Sequence, residues 1–192
     1  MREVLRTWRD EPLKAVAAEA RLMRPRRVRQ FAEFGQLSVL HRPMWLYGTR
    51  HIAIGRWCLL MHGAWLAVER SAWDAPDPVL RIGDRVTART FLSISASVGV
   101  VLEDGVTTGA GCGIYDSNHV MDPGRPSVLD TPGAGEPVRI GAGSWLGDRV
   151  TVLAGADIGR GCTIGAGAVV RGRIPDRAIA VGVPARVVGE NP

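Results

Sequence analysis

Lysine is almost missing from this 192-residue chain: of its 24 basic side chains, Lys14 alone is a lysine and the rest are arginine. Set against 19 acidic residues, the formal charge is +5. An excess of guanidinium groups favours anionic partners, among them phosphate-bearing cofactors, nucleic acid and acidic membrane surfaces, without choosing between them. Long apolar runs are missing too. No stretch approaches the ~18 residues of a membrane-spanning helix, and the opening "MREVLRTWRDEPLKAV" lacks the apolar centre of a signal peptide, so a cytoplasmic location is the expectation. Cysteine is scarce: Cys58, Cys112 and Cys162 are odd in number and form no CxxC pair, which argues against a disulfide framework and a thiolate metal site. With 192 residues there is room for one core, or for one domain with an appendage.

What the chain does have is a period of six. Ile140, Leu146, Val152, Ile158, Ile164 and Val170 follow one another without exception, and four residues after each come Ser144, Val150, Ala156, Cys162, Ala168 and Ile174, mostly small. The frame recurs upstream as Leu102, Thr108 and Ile114 with Val106, Cys112 and Asn118, and as Ile82, Ala88 and Ile94 with Val86, Leu92 and Val98. It is readable again as Ile54, Leu60 and Leu66 with Cys58, Ala64 and Arg70. Neither a helical period nor a long alternation gives this spacing. Short strands joined by corners do: three hexapeptides close a triangular coil, stacked coils align like residues, and the aliphatic and its small partner both point inward. The expectation is therefore an all-β parallel β-helix of about five coils, 54–71, 82–99, 102–119, 140–157 and 158–175. All three cysteines fall in the small inward slot, where a thiol is an apolar filler.

Three domain segments follow from the pattern. Residues 1–45 precede the repeat, with a helix over 11–23 and a basic run "RPRRVRQ" at 24–30 that reads as solvated more readily than as a nucleic-acid or lipid contact. Residues 46–175 hold the β-helix, interrupted by the excursion "SAWDAPDPVL" and by a loop at 120–139 rich in Pro, Gly and Asp; a loop of that length is usually functional. Residues 176–192 form a tail that leaves the repeat. Of the four histidines, His41, His51 and His62 have no chemical company, whereas His119 closes "IYDSNH" where the long loop departs, with Asp116 and Asn118 beside it. Asp at a corner is also common turn chemistry.

The segments "YDSNH" and "SWLGDRVTVLAGADIGRGCTIGAGAVVRGRIPDRAIAVGVPAR" resemble the bacterial hexapeptide O-acetyltransferases, the galactoside and maltose acetyltransferase type and relatives that acetylate lipopolysaccharide or capsular sugars. The resemblance covers roughly residues 40–190. It implies a left-handed winding, a homotrimer with sites in the clefts between prisms, and acetyl-CoA or another acyl-CoA as co-substrate, with no metal. It implies His119 as general base toward a sugar hydroxyl, suited by the titration of an imidazole near neutrality, with Asp116 and Asn118 toward the acceptor. Trp145, Asp148, Ala166, Arg171 and Arg186 match positions on the cofactor side. Two departures concern the phosphates: Arg171–Gly172–Arg173 stands where the family has Thr-Lys, and Gly189 where a basic residue is common. The acceptor class implied is a sugar or cell-surface glycan precursor, with peripheral contact to membrane-linked precursors and no nucleic acid.

Other readings compete. A streptogramin-type antibiotic acetyltransferase carries a longer insertion after its N-H pair than this loop provides. A γ-class carbonic anhydrase needs three zinc-binding histidines, and the later coils hold only His119. A non-catalytic β-helix scaffold explains the repeats but not the joint presence of "DSNH", "SWLG" and "GVPAR".

Overall fold

The computed structural model of the protein describes residues 28–74, 78–127 and 133–192; the expected helix over 11–23 lies outside them. Most strands are two to four residues long, too short to stand in a hairpin of their own. Each is instead paired with the equivalent strand one coil away, so stability is shared along the stack. The first face runs through Glu33–Phe34, Ile52–Ile54, Leu80–Ile82, Val100–Leu102, Val138–Ile140, Asp157–Ile158 and Arg173–Ile174. The second runs through Val39–Leu40, Leu59–Leu60, Thr87–Ala88, Thr107–Thr108, Trp145–Leu146, Thr163–Ile164 and Ala178–Val181. The third runs through Trp45–Tyr47, Trp65–Val68, Ser93–Ala96, Gly113–Tyr115, Thr151–Val152 and Val169–Val170. The chain visits the faces in turn, giving a left-handed parallel β-helix of triangular section.

The prism is longer than the repeat suggests. Its third face has six strands, so six coils close where five were expected, and the first two strands of the first coil lie inside the segment assigned to residues 1–45. Phe34, Leu40 and Leu46 pair with Ile54, Leu60 and Leu66. Their six-residue steps are masked by a longer step from Leu46 to Ile54. At the other end Ile174 pairs with Ile158, so it opens a new coil rather than serving as a small partner. Ala178–Val181 continues the second face, and Arg186–Glu190 folds back antiparallel on it. The tail therefore does not leave the prism at 176; its reversal covers what would be an open sheet edge.

The sixfold residues are the core. Ile140, Leu146, Val152, Ile158, Ile164 and Val170 have no exposed surface, and Val150, Ala156, Cys162 and Ala168 fill the corners between them. The thiols of Cys58, Cys112 and Cys162 lie 3.0, 3.2 and 3.0 Å from the carbonyls of Gly83, Gly147 and Pro175. Burial pushes all three thiols above the usual range, which keeps them protonated and unreactive. Thr108 departs from the apolar pattern: it is fully buried and, among the described residues, its hydroxyl has no hydrogen-bond partner. Thr108→Val removes that unpaired group at nearly constant shape and should raise stability by about 1 kcal/mol. Urea unfolding would report it as a higher midpoint at unchanged slope; a lower midpoint would reveal a partner for the hydroxyl.

Departures from the six-residue step collect on one edge, between the third face of a coil and the first face of the next. There lie the step from Leu46 to Ile54, the excursion after Val68, the corner at 97–99, the loop after Tyr115, and the shortened step from Val170 to Ile174. The inward small residue fails there as well. Arg70 and Asn118 are exposed and Val98 is half exposed. The other two edges stay regular, which leaves this third edge free to vary without disturbing the core.

Candidate active site

The long loop leaves from a fixed base. After Gly113–Tyr115 the chain turns Asp116 inward to complete burial. Its carboxylate accepts hydrogen bonds from the amides of Ser97 at 2.8 and 2.9 Å, Val98 at 2.7 Å and Gly99 at 2.7 Å. These amides belong to the corner of the coil below, where the widened step leaves no carbonyl in register to receive them. Ser117–Asn118 then pairs antiparallel with Ala134–Gly135, and the Ser117 and Ser97 hydroxyls meet at 3.2 Å. Gly135 is required here, because a Cβ at this position would lie 2.4 Å from the Val98 side chain. The expected loop of 120–139 is thus narrower than its bounds, since Ala134–Gly135 belongs to a two-stranded ribbon and Val138 to the first face. His119 is the first residue beyond the ribbon, and both it and Asn118 are exposed.

The return of the loop is pinned by charge. Arg139, in Val138–Ile140, donates from Nη1 to Glu103 at 2.9 Å and from Nε to Asp157 at 2.7 Å, while Glu103 also accepts the Ala142 amide at 2.9 Å. Partial desolvation pushes the Glu103 carboxyl up, but the Ala142 amide and the Arg139 guanidinium outweigh it and hold it below its ordinary value.

The other expected site residues lie elsewhere on the prism. Trp145, on the second face, is 53% exposed and sits between Thr107 and Thr163, small neighbours that leave the indole open. Asp148 marks the second edge, where its Oδ1 accepts the Ala110 amide at 2.8 Å. Asp84, Asp104 and Asp176 serve the same purpose at the first edge, so the Asp148 side chain holds a corner through its Oδ1. Ala166 stacks one coil further along that second edge: its methyl is exposed, and the Gly167 amide bonds the Asp148 carbonyl at 2.9 Å. Arg186 opens the last strand opposite Val181 and donates to the Ala185 carbonyl at 3.0 Å. Arg171 is exposed on the third edge.

The residues therefore form two groups, not one. His119, Asn118 and Arg171 line the third edge, and Trp145, Asp148, Ala166 and Arg186 line the second face and second edge. In a triangular prism the third edge is opposite the second face, so one protomer does not bring His119 to Trp145. Asp116 is a correction to the expected acceptor-binding set: no part of it reaches the surface, and its oxygens are taken by the corner amides. Sequence reasoning noted the turn alternative for Asp116 but carried no sign of the Arg139 staple, because both devices depend on strands that become neighbours only after the coil has closed.

Residues 137–172 match the family described as bacterial transferase hexapeptide (six repeats). The chain is 40% identical over 127 residues to the probable acetyltransferase Rv3034c of Mycobacterium tuberculosis, covering 66% of this chain and 42% of that protein. It is 32% identical over 118 residues to the putative lipopolysaccharide biosynthesis O-acetyl transferase WbbJ of Escherichia coli, covering 57% and 60%. The chain thus spans about half the length of the relatives it matches. Among solved structures, a mutant of AntD, an N-acyltransferase from Bacillus cereus in complex with dTDP and coenzyme A, superposes with a TM-score of 0.69 at 19% identity, over 84% of this chain and 85% of that one. A maltose O-acetyltransferase from Clostridium difficile 630 superposes with a TM-score of 0.59 at 20% identity, over 96% and 91%. At these identities the two structures speak for the fold alone. The six-residue period, the triangular prism it builds and the matched repeats at 137–172 together give this chain the fold and the repeat of the bacterial hexapeptide transferases.

Proposed function

We propose that the protein is an acyl-CoA-dependent O-acyltransferase that moves an acetyl group from acetyl-CoA to a hydroxyl of a sugar or glycan precursor, in a homotrimer whose sites lie between neighbouring prisms. One observation carries this reading: an exposed histidine on a braced ribbon and an exposed tryptophan on the opposite side of the same prism. A second copy placed edge to face would join them, and threefold repetition of that contact closes on itself. His119 of one protomer then faces the second face of the next. Its imidazole takes the proton of the acceptor hydroxyl as that oxygen attacks the thioester carbonyl, the carbon–sulfur bond breaks, and the departing sulfur recovers the proton. No acyl-enzyme is needed. Trp145 lines the cofactor arm, the backbone at Asp148 and Ala166 meets it, and Arg171 and Arg186 serve the phosphates.

Oxygen is favoured over nitrogen as acceptor because a hydroxyl gains nucleophilicity only by giving up its proton, the task His119 is placed to perform. The co-substrate puts the reaction in the cytoplasm. The test is complementation. Protomers carrying His119→Ala and protomers carrying Trp145→Ala, each inactive alone, are mixed and reassembled; roughly a quarter of the contacts then pair an intact His119 with an intact Trp145. Thioester cleavage with hydroxyl acceptors should return in the mixture. If mixing restores nothing, the shared site is wrong, and if the parent protein acetylates amino sugars but not their hydroxyl parents, the choice of oxygen is wrong.

A further inference from the structure

Three rungs below the loop, the same third edge carries a second concavity that the acyl-transfer reading leaves unused. It has a volume of about 550 Å³ and lies between the end of the first coil and the excursion after the second, lined by Tyr47, Arg50, His51, Trp73 and Asp74. Its wall is aromatic and firmly held. The Trp73 indole donates to the Val68 carbonyl at 3.1 Å, with the Tyr47 ring 5.4 Å away, the His51 ring nearly parallel at 6.3 Å and the Arg70 guanidinium 5.5 Å from the ring centre. Gly48 adopts φ 64° here, and a Cβ on it would come within 2.9 Å of the indole nitrogen, so the backbone has made room for the ring.

The polar groups around this wall are not spent on the fold. The Tyr47 phenol, the Arg50 guanidinium, the His51 imidazole and the Asp74 carboxylate have no hydrogen bond or ion pair to another side chain among the described residues. Aromatic surface with a few convergent polar groups in a cavity of this size is the usual make-up of a small-molecule site. The charges choose the ligand. Of the lining side chains, Arg50 and Asp74 balance each other, and the Arg70 guanidinium is engaged over the Trp73 ring; a phosphate would face Asp74, and a purely apolar ligand would strand both lining charges without partners. A pyranose fits: it has apolar C–H faces for the rings and hydroxyls that donate to Asp74 and accept from Arg50. The position fits as well. Tyr47, Ala67, Ser95 and Tyr115 are successive rungs of the third face, which puts the cavity about 14 Å from the level of His119 at ~4.8 Å per rung. The rung next to the loop carries Ser95 and Ser97, and Ser117 stands on the rung of His119 itself, so the upper part of the track is lined with hydroxyls. One sugar ring does not span that distance, whereas a short oligosaccharide does.

We propose that this cavity is a saccharide subsite, holding a sugar unit of an oligosaccharide acceptor remote from the hydroxyl presented to His119. The link to His119 rests on the acyl-transfer reading; saccharide binding in the cavity does not. The test separates the two. Saturation-transfer NMR and calorimetry on the full chain with maltotriose, cellotriose and chitotriose should detect binding of at least one. Tyr47→Phe and Asp74→Asn, which conserve shape, should each weaken that binding by about tenfold, the equivalent of ~1.4 kcal/mol, with unchanged melting temperature. In turnover assays the same variants should raise KM for the trisaccharide and leave KM for the matching monosaccharide and for acetyl-CoA as they were. Absence of binding by all three trisaccharides, or wild-type affinity in both variants, overturns the subsite. Binding that responds to the variants, without acetyl transfer to any sugar, upholds the subsite and removes the acyl-transfer reading instead.

Discussion

Replacement of His119 by alanine is expected to lower turnover by about 10²–10⁴-fold, the usual contribution of a positioned general base, while CoA affinity and the oligomeric state stay as in the parent protein. The separation of effects follows from where His119 stands. It is exposed, beyond the last ribbon pair, and contributes nothing to the buried core, so its loss should cost no folding energy. It is also remote from Trp145 within a protomer, so the surface proposed for the cofactor on the second face remains intact. Steady-state kinetics with free-thiol detection would read kcat, and calorimetry with CoA would read the affinity. Turnover within a few-fold of the parent would take His119 out of the mechanism; loss of CoA affinity equal to the loss in rate would make it a binding residue.

The second large effect is on stability. Asp116→Ala should cost about 3 kcal/mol, because it removes a fully buried carboxylate that receives charge-assisted hydrogen bonds from three backbone amides. The amides of Ser97, Val98 and Gly99 lie near the surface, so water can replace part of what is lost, and the figure stays below the sum of three full penalties. Asp116→Asn should fall between, since its amide keeps one acceptor oxygen but turns a donor toward donors. Urea unfolding would measure both, and a loss under about 1 kcal/mol for alanine would mean that the corner has other means of support. The same variant bears on catalysis. Asp116 also accepts the Glu136 amide at its carbonyl, so it ties both strands of the ribbon to the coil below, and loosening it should lower kcat more than it raises KM for acetyl-CoA.

How far the sequence reached can be judged from particular positions. Ile140 to Val170 were legible because a closed coil repeats its environment every six residues, and a residue whose surroundings are set by the repeat is predictable from the repeat. The first coil obeys the same step at Phe34, Leu40 and Leu46, yet it was hidden by a longer corner and by few glycines. Ile174 misled for the opposite reason: a corner shortened by two residues put it where a small partner belonged, although it pairs with Ile158. His119 was legible through its motif and through its place at the mouth of a loop. Asp116 belonged to the same motif, but its direction depends on whether three amides from another coil are left without carbonyls.

The amino-acid sequence alone determined the period, the inward residues, the fold class and the identity of the exposed histidine, since each is set by contacts that recur at a fixed separation along the chain. Tertiary structure decided the number of coils, the inward turn of Asp116, the bracing of the loop by Arg139, the aromatic cavity at Trp73 and the placement of His119 and Trp145 on opposite sides of one prism. Those features depend on which edge collects the irregular steps. A change of two residues at a corner leaves the six-residue rule intact on both sides while rotating everything at that corner between core and solvent.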